Sequence, residues 1–202
     1  MIIRPDEAEP AVVYSMMIRA IAPRPIAWVS TVSSSGATNL APFCYFNGVC
    51  SRPAALSFSA VNRADGSKKD TVLNIEATGQ FVVNVVPFSL AESMTLTAAE
   101  LDHEDSEFQH AGLQPSPSHV VAAPGVTDSP IRFECELLQI VCIGDGALAA
   151  NLVIGKVLLM DIDDAVLNER QKIDADLVDA IGRMGGLDYC RTSQRFSIQR
   201  GK

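Results

Sequence analysis

Two long runs in the C-terminal half constrain this chain more than any other feature. IRFECELLQIVCI (131–143) and NLVIGKVLLMDI (151–162) are rich in β-branched and other apolar residues and are joined by the turn-rich GDGALAA. Such runs, bounded by Gly and Asp, read as strands, and a link that short makes them an antiparallel pair. Further extended segments precede them: IAWVSTVS (26–33), a run from Thr38 beyond the turn cluster SSGA, AALSFSA (54–60) and QFVVNVVP (80–87). Strands dominate and alternating βα units are absent, which argues against a doubly wound parallel sheet. A mainly β fold with peripheral helices fits, built as a closed or partly closed antiparallel barrel; about six strands can close around a packed interior.

Helices belong at the margins. Residues 10–21, PAVVYSMMIRAI, read as a short amphipathic helix stopped by Pro23 and Pro25, since proline pushes its predecessor out of helical geometry. A second is expected from Asp70-Thr71 to a glycine cap at Gly79, a third over 88–99, and a short stretch near Asp176–Ile181. Residues 100–130 are acidic, contain several prolines and form the long excursion. No repeat or linker divides the chain, so residues 1–202 are read as a single domain.

Composition removes several functions. With 16 Lys+Arg against 24 Asp+Glu the net charge is −8, and no long basic stripe could hold a phosphate backbone, so nucleic-acid binding is disfavoured. No apolar run approaches the roughly 18–20 residues that span a bilayer, and MIIRPDEAEP lacks the pattern of a secretion signal; a soluble, cytoplasmic protein is expected. The five cysteines, Cys44, Cys50, Cys135, Cys142 and Cys190, form neither a CxxC pair nor a zinc pattern and read as small buried hydrophobes, with Cys44 the exception to watch. GxGxxG and GxxxxGK[ST] are both missing. Asp102-His103-Glu104-Asp105 is a poor metal site, because adjacent loop residues rarely converge, and Ser33-Ser34-Ser35 reads as a hairpin turn rather than a nucleophile.

Two local features carry chemistry. Arg63, Lys68 and Lys69 crowd into a loop with Gly66 and Ser67 just before the helix at Asp70-Thr71. Unpaired amides at a helix start, with lysine, arginine and hydroxyl groups beside them, suit an anion such as a phosphate; an ordinary solvated loop has the same composition. In TNLAPFCYFN (38–47), Pro42 cannot donate to a sheet ladder and belongs at an edge or bulge. Free backbone groups around Ala41–Cys44 could meet the polar edge of a planar heterocycle, or the strand could simply bend at a barrel corner.

PRPIAWVSTVSSSGATNLAPFCYFNGV (23–49), KKDTVLNIEATGQFVVNVV (68–86) and GRMGGLDYCRTSQRF (182–196) together resemble the flavin-reductase-like family of FMN-binding split β-barrel proteins, over nearly the whole chain. The resemblance implies a six-stranded Greek-key barrel that forms a homodimer, with FMN (or FAD) near the interface. By motif position, Asn39, Ala41, Pro42 and Cys44 would line the flavin ring, and Ser59, Arg63, Lys69 and Thr71 would hold the phosphate. Trp28 and Thr31 would lie nearby, and Met184, Tyr189 and Arg191 would approach the pocket from the tail. The activity implied is an NAD(P)H-dependent flavin reductase that passes electrons to a further acceptor, a monooxygenase or redox-protein partner among the candidates. The alternative is a flavoredoxin-like carrier without a nicotinamide site. Relatives often have histidine where this chain has Asn151, a departure that bears on the nicotinamide rather than on the flavin.

Overall fold

In the computed structural model, which describes residues 1–102, 105–199 and 201, the long hairpin is the backbone of the fold. The strands are β1 (Ala27–Val32), β2 (Thr38–Phe43), β3 (Phe46–Ser51), β4 (Ala54–Val61), β5 (Gln80–Asn84), the two-residue β6 (Pro115–Ser116) and β7 (Gly125–Val126), β8 (Ile131–Ile143), β9 (Ala150–Ile162), β10 (Ile181–Gly185) and β11 (Asp188–Arg191). Seven of them form one antiparallel sheet in the order β2-β1-β5-β8-β9-β4-β3. Pairing β8 with β9 and β4 with β9 leaves β2 and β3 as the two edges, although the chain passes from one to the other through two residues. The sheet therefore curls on itself. Its ends meet through side chains, with the Phe43 ring 5.0 Å from that of Phe58 on β4. No β2–β4 ladder closes this gap, and the barrel is split there.

The core follows from strand alternation. Val29, Phe58, Phe81, Val83, Cys135 and Val153 point into one cluster and are fully buried. Phe81 explains a glycine in the middle of β9: a Cβ at Gly155 would lie 2.3 Å from its Cζ atom. Helix α2 (Asp70–Thr78) closes one end with Val72 and Ile75, and stops at Gly79 with φ +70°. Helix α1 (Pro10–Ala20) ends ahead of Pro23, as expected from the prolines.

Several expectations shift in detail. The barrel sheet has seven strands rather than six, because the run from Thr38 divides at Cys44-Tyr45 and its second half forms β3. β3 is exposed over nearly its whole length and bulges between Gly48 and Cys50, so alternation could not mark it. The helix read over 88–99 is a 3-10 turn followed by the short α3 (Ala91–Leu96). The stretch near 176–181 holds α5 (Ala175–Val178), and the tail beyond it pairs β10 with β11. Of the cysteines, Cys135 is buried, but Cys50 and Cys142 are exposed and Cys44 and Cys190 half-buried. Cys50 sits on the bare β3 edge and Cys142 near the free end of the long hairpin, where apolar sequence neighbours do not ensure a covering layer.

The acidic excursion is a packed cover. Phe108 in α4 (Glu107–His110), Leu113 and Val126 join Trp28 and Leu40 in a second core. Two carboxylates pin the cover down. Buried Glu134 of β8 accepts the amides of His119 and Val120 at 2.8 and 2.7 Å, and Glu107 accepts the amide of Leu40 at 2.9 Å. No helix among the described residues is long and apolar enough to cross a membrane.

Candidate functional site

The edge strand β2 forms the wall of a cavity of about 220 Å³. Ladder bonds alternate along an antiparallel strand, and Leu40 turns its N–H away from β1, toward Glu107. Two residues on, Pro42 has the same phase and no N–H at all. β2 thus offers its outer side to the cavity without a continuous row of donors that could recruit another strand. Arg63 and Lys69 of the 63–71 loop and the start of α2 also line the cavity, together with Ser59 of β4.

Charges in that loop are unequally committed. Arg63 is paired with Asp70 at 2.5 Å and also donates to the carbonyl of Lys68, while Lys68 itself reaches Glu76 at 2.5 Å. Lys69 is half-buried, lines the cavity and has no carboxylate partner among the described residues. It occupies the cap position of α2, where Thr71 in the first turn has no intrahelical acceptor for its N–H. The Thr71 hydroxyl accepts from Asn39 Nδ2 at 3.1 Å, which couples the loop wall to β2. A cation, a helix start and hydroxyl groups therefore face one space, the donor set that suits an anion.

Asn39, Ala41, Pro42, Cys44, Ser59, Arg63, Lys69 and Thr71 all line this cavity. Trp28 and Thr31 stand behind it. Trp28 is fully buried and donates its indole N–H to Thr97, a lining residue, at 2.8 Å, and Thr31 accepts from Asn74 at 3.0 Å. The tail residues are elsewhere. Tyr189 lines an adjoining cavity of about 770 Å³ that shares Pro42 and Cys44 with the first. The Met184 carbonyl accepts from Arg24 at 3.3 Å, and Arg191 is paired with Asp179 and stacked on Phe88. Asn151 lies away from both cavities; its amide donates to Asn62 at 2.8 Å within the sheet. His103 and Glu104, at the centre of the weighed metal site, lie outside the described residues.

Sequence reading missed three contributors. Tyr14 and Ile18 reach the cavity from α1, residues 97–101 come from the turn after α3, and Glu107 comes from the cover. Burial pushes the Glu107 carboxyl above its usual range, against the lowering effect of the Leu40 amide. No motif marks these positions. The one available signal for Glu107 was an acid directly before the run FQHAGL, which is not specific.

Fold and site together define a class: a split antiparallel barrel with a ligand-sized groove along one sheet edge and a cationic helix start at one end of it. The flavin reductase like domain matches residues 18–188, and the chain belongs to that family. An uncharacterized protein of Aquifex aeolicus is 37% identical over 185 residues, covering 92% of this chain and 92% of its own. Among solved structures, nitrilotriacetate monooxygenase component B from Bacillus cereus superposes with a TM-score of 0.93 at 32% identity, over 98% of each chain. The 2-nitrobenzoate 2-nitroreductase of Pseudomonas fluorescens does so with a TM-score of 0.88 at 30% identity, over 100% of this chain and 96% of that one. A split barrel domain protein from Shewanella frigidimarina shares the fold, with a TM-score of 0.82 at 22% identity over 97% of this chain and 96% of that one.

Proposed function

We propose that the chain is an FMN-binding oxidoreductase that takes electrons from NADH or NADPH and delivers them to a further acceptor. The carrying observation is convergence: residues from β2, β4 and the start of α2 line one cavity in which half-buried Lys69 has no counter-ion among the described residues. These groups fit the cofactor. Lys69, the Thr71 hydroxyl and amide, Ser59 and the guanidinium of Arg63 would hold its phosphate through charge-assisted hydrogen bonds. Asn39 and the backbone of Ala41–Cys44 would hold the ring, on the outer edge of β2, where Pro42 gives no N–H to a further strand. Bound flavin would supply the hydride-accepting and electron-relaying chemistry that no side-chain pair here provides. Trp28 and Thr31 act at one remove, by fixing Thr97 and α2.

Two solved neighbours support an onward acceptor. One is described as a monooxygenase component and the other as a nitroreductase, so a monooxygenase partner or a small reducible molecule are the two natural recipients. A homodimer is part of the reading: Leu138, Leu158 and Met160 on the long hairpin are exposed, an apolar face beyond what one small barrel covers. Sedimentation equilibrium at micromolar concentration should give twice the 21.6 kDa subunit mass, and a single subunit mass would remove the dimer.

Purified protein should be yellow or turn so with added FMN, and anaerobic mixing with NADH or NADPH should bleach the flavin absorbance. A protein that ignores FMN overturns the cofactor. One that binds FMN and stays oxidised with both nucleotides, but is bleached by a reduced ferredoxin-type donor, is a flavoredoxin-like carrier instead.

A further inference from the structure

The larger cavity holds a charge arrangement that the flavin reading does not use. Arg24 and Arg183 stand directly opposite each other in an isolated antiparallel bridge, joined by backbone hydrogen bonds of 2.9 and 2.8 Å. Residues so paired project to the same face, and both side chains line the cavity. Neither guanidinium has a carboxylate partner among the described residues. Like charges directly opposite are unfavourable, and Arg24 is only 3% exposed, so water does little to screen it.

The partners of Arg24 leave one nitrogen over. Its Nε donates to Cys44 Sγ at 3.4 Å, and Nη1 donates to the carbonyls of Ile18, Ile21 (2.5 Å) and Met184 (3.3 Å). Nη2 has no partner among the described residues. No polar side-chain atom among the described residues is sealed from solvent without a hydrogen bond, so Nη2 keeps contact with solvent, and the larger cavity is the space that Arg24 lines. Arg183 lies 4.4 Å from the centre of the Tyr189 ring and donates to its hydroxyl and to the Gly186 carbonyl. The remaining lining is mostly apolar or aromatic, with Ile26, Met94, Leu187 and Tyr14; the hydroxyl of Thr95, which also lines it, donates to the Glu92 carbonyl at 2.7 Å.

We propose that this compartment binds a planar organic carboxylate as a ligand, its anionic end between Arg24 and Arg183 and its apolar body toward Pro42 and Cys44. The placement rests on the flavin reading, because Pro42 and Cys44 are the wall that the ring would share. Carboxylate geometry matches a guanidinium fork, and one anion would relieve both the opposed charges and the open Nη2.

Calorimetry with benzoate, using benzamide as its neutral isostere, tests this on the whole protein with and without FMN. Benzoate should bind at least ten-fold more tightly than benzamide. Arg183→Met should remove that preference while leaving FMN affinity, followed separately by visible absorbance, unchanged. Equal affinities for the two probes, or a preference that survives Arg183→Met, overturns the proposal. Arg24→Met should act likewise; because Arg24 also ties α1 to the barrel, this variant is scored only with a native circular-dichroism spectrum, and the wild-type comparison decides without it. Failure to bind FMN would sink the cofactor reading and leave the benzoate result standing. Loss of discrimination in protein that does bind FMN would sink this inference alone.

Discussion

The two edges of the main sheet face the same physical problem and meet it in opposite ways. An edge strand presents unpaired backbone groups that invite another strand. At β2 the groups are disposed of individually: Glu107 takes the Leu40 amide, Pro42 has none to offer, and the acidic cover packs Phe108 and Leu113 against the strand. At β3 nothing of the kind occurs; Asn47 to Ser51 are exposed, and a bulge at Gly48–Cys50 breaks the regular ladder. The managed edge is the one that lines the cavity. Covering an edge with side chains and a proline, rather than with another strand, leaves backbone groups available to a ligand.

The largest expected effect strikes the ligand at the managed edge. Replacing Lys69 and Arg63 together by Ala should weaken FMN binding by about 3 kcal/mol or more, at roughly 1.5–3 kcal/mol per charged hydrogen bond. Fluorescence titration would show it. Because Arg63 is already engaged by Asp70, Lys69→Ala alone should account for most of the loss; unchanged affinity in the double variant would place the phosphate elsewhere.

Next comes the clasp. Glu107→Ala leaves the Leu40 amide without its acceptor and should lower stability by about 1–3 kcal/mol, read from urea unfolding. A smaller change would mean that the cover holds β2 by apolar packing alone. Glu107→Gln separates charge from shape. Burial raises the carboxyl above its ordinary 4.5, so the folded state binds this proton more tightly than the unfolded chain. The favourable contribution is therefore present below pH 4.5 and lost as pH rises through the folded value. The stability of Glu107→Gln relative to wild type should accordingly improve from pH 4 to pH 8, and a flat difference would show that the carboxylate is not desolvated.

The smallest effect belongs to the bare edge. Val49 is 52% exposed in the bulge of β3, so Val49→Lys should shift stability by no more than about 0.5 kcal/mol. A loss above about 1 kcal/mol, or a change in sedimenting mass, would show that a second copy covers β3 and that the contrast between the edges holds only for one subunit.

Legibility followed the reach of the forces involved. The long hairpin, α2 with its Gly79 stop, and the edge position of Pro42 are local: apolar periodicity, a positive-φ glycine and a missing N–H are written in neighbouring residues. β3 escaped notice because an exposed, bulged strand has no buried face to impose alternation. The helix at 88–99 was overread, since much of that stretch packs as turns against β1 and the cover. At the site, the loop cations were visible as residue types, but their commitments were not. Whether Arg63, Lys68 or Lys69 is left unpaired depends on Asp70 and Glu76 in a helix whose start the loop itself builds.

From sequence alone came the class of fold, the family motifs and the basic character of the 63–69 loop, because each is a matter of residue type and near-neighbour spacing. Tertiary structure decided which loop cation has no carboxylate partner among the described residues, which edge is covered, and that Arg24 and Arg183 share a wall across 158 intervening residues. Those outcomes depend on contacts between segments distant along the chain, where partner and solvent exposure, rather than the residue itself, fix what a side chain can do.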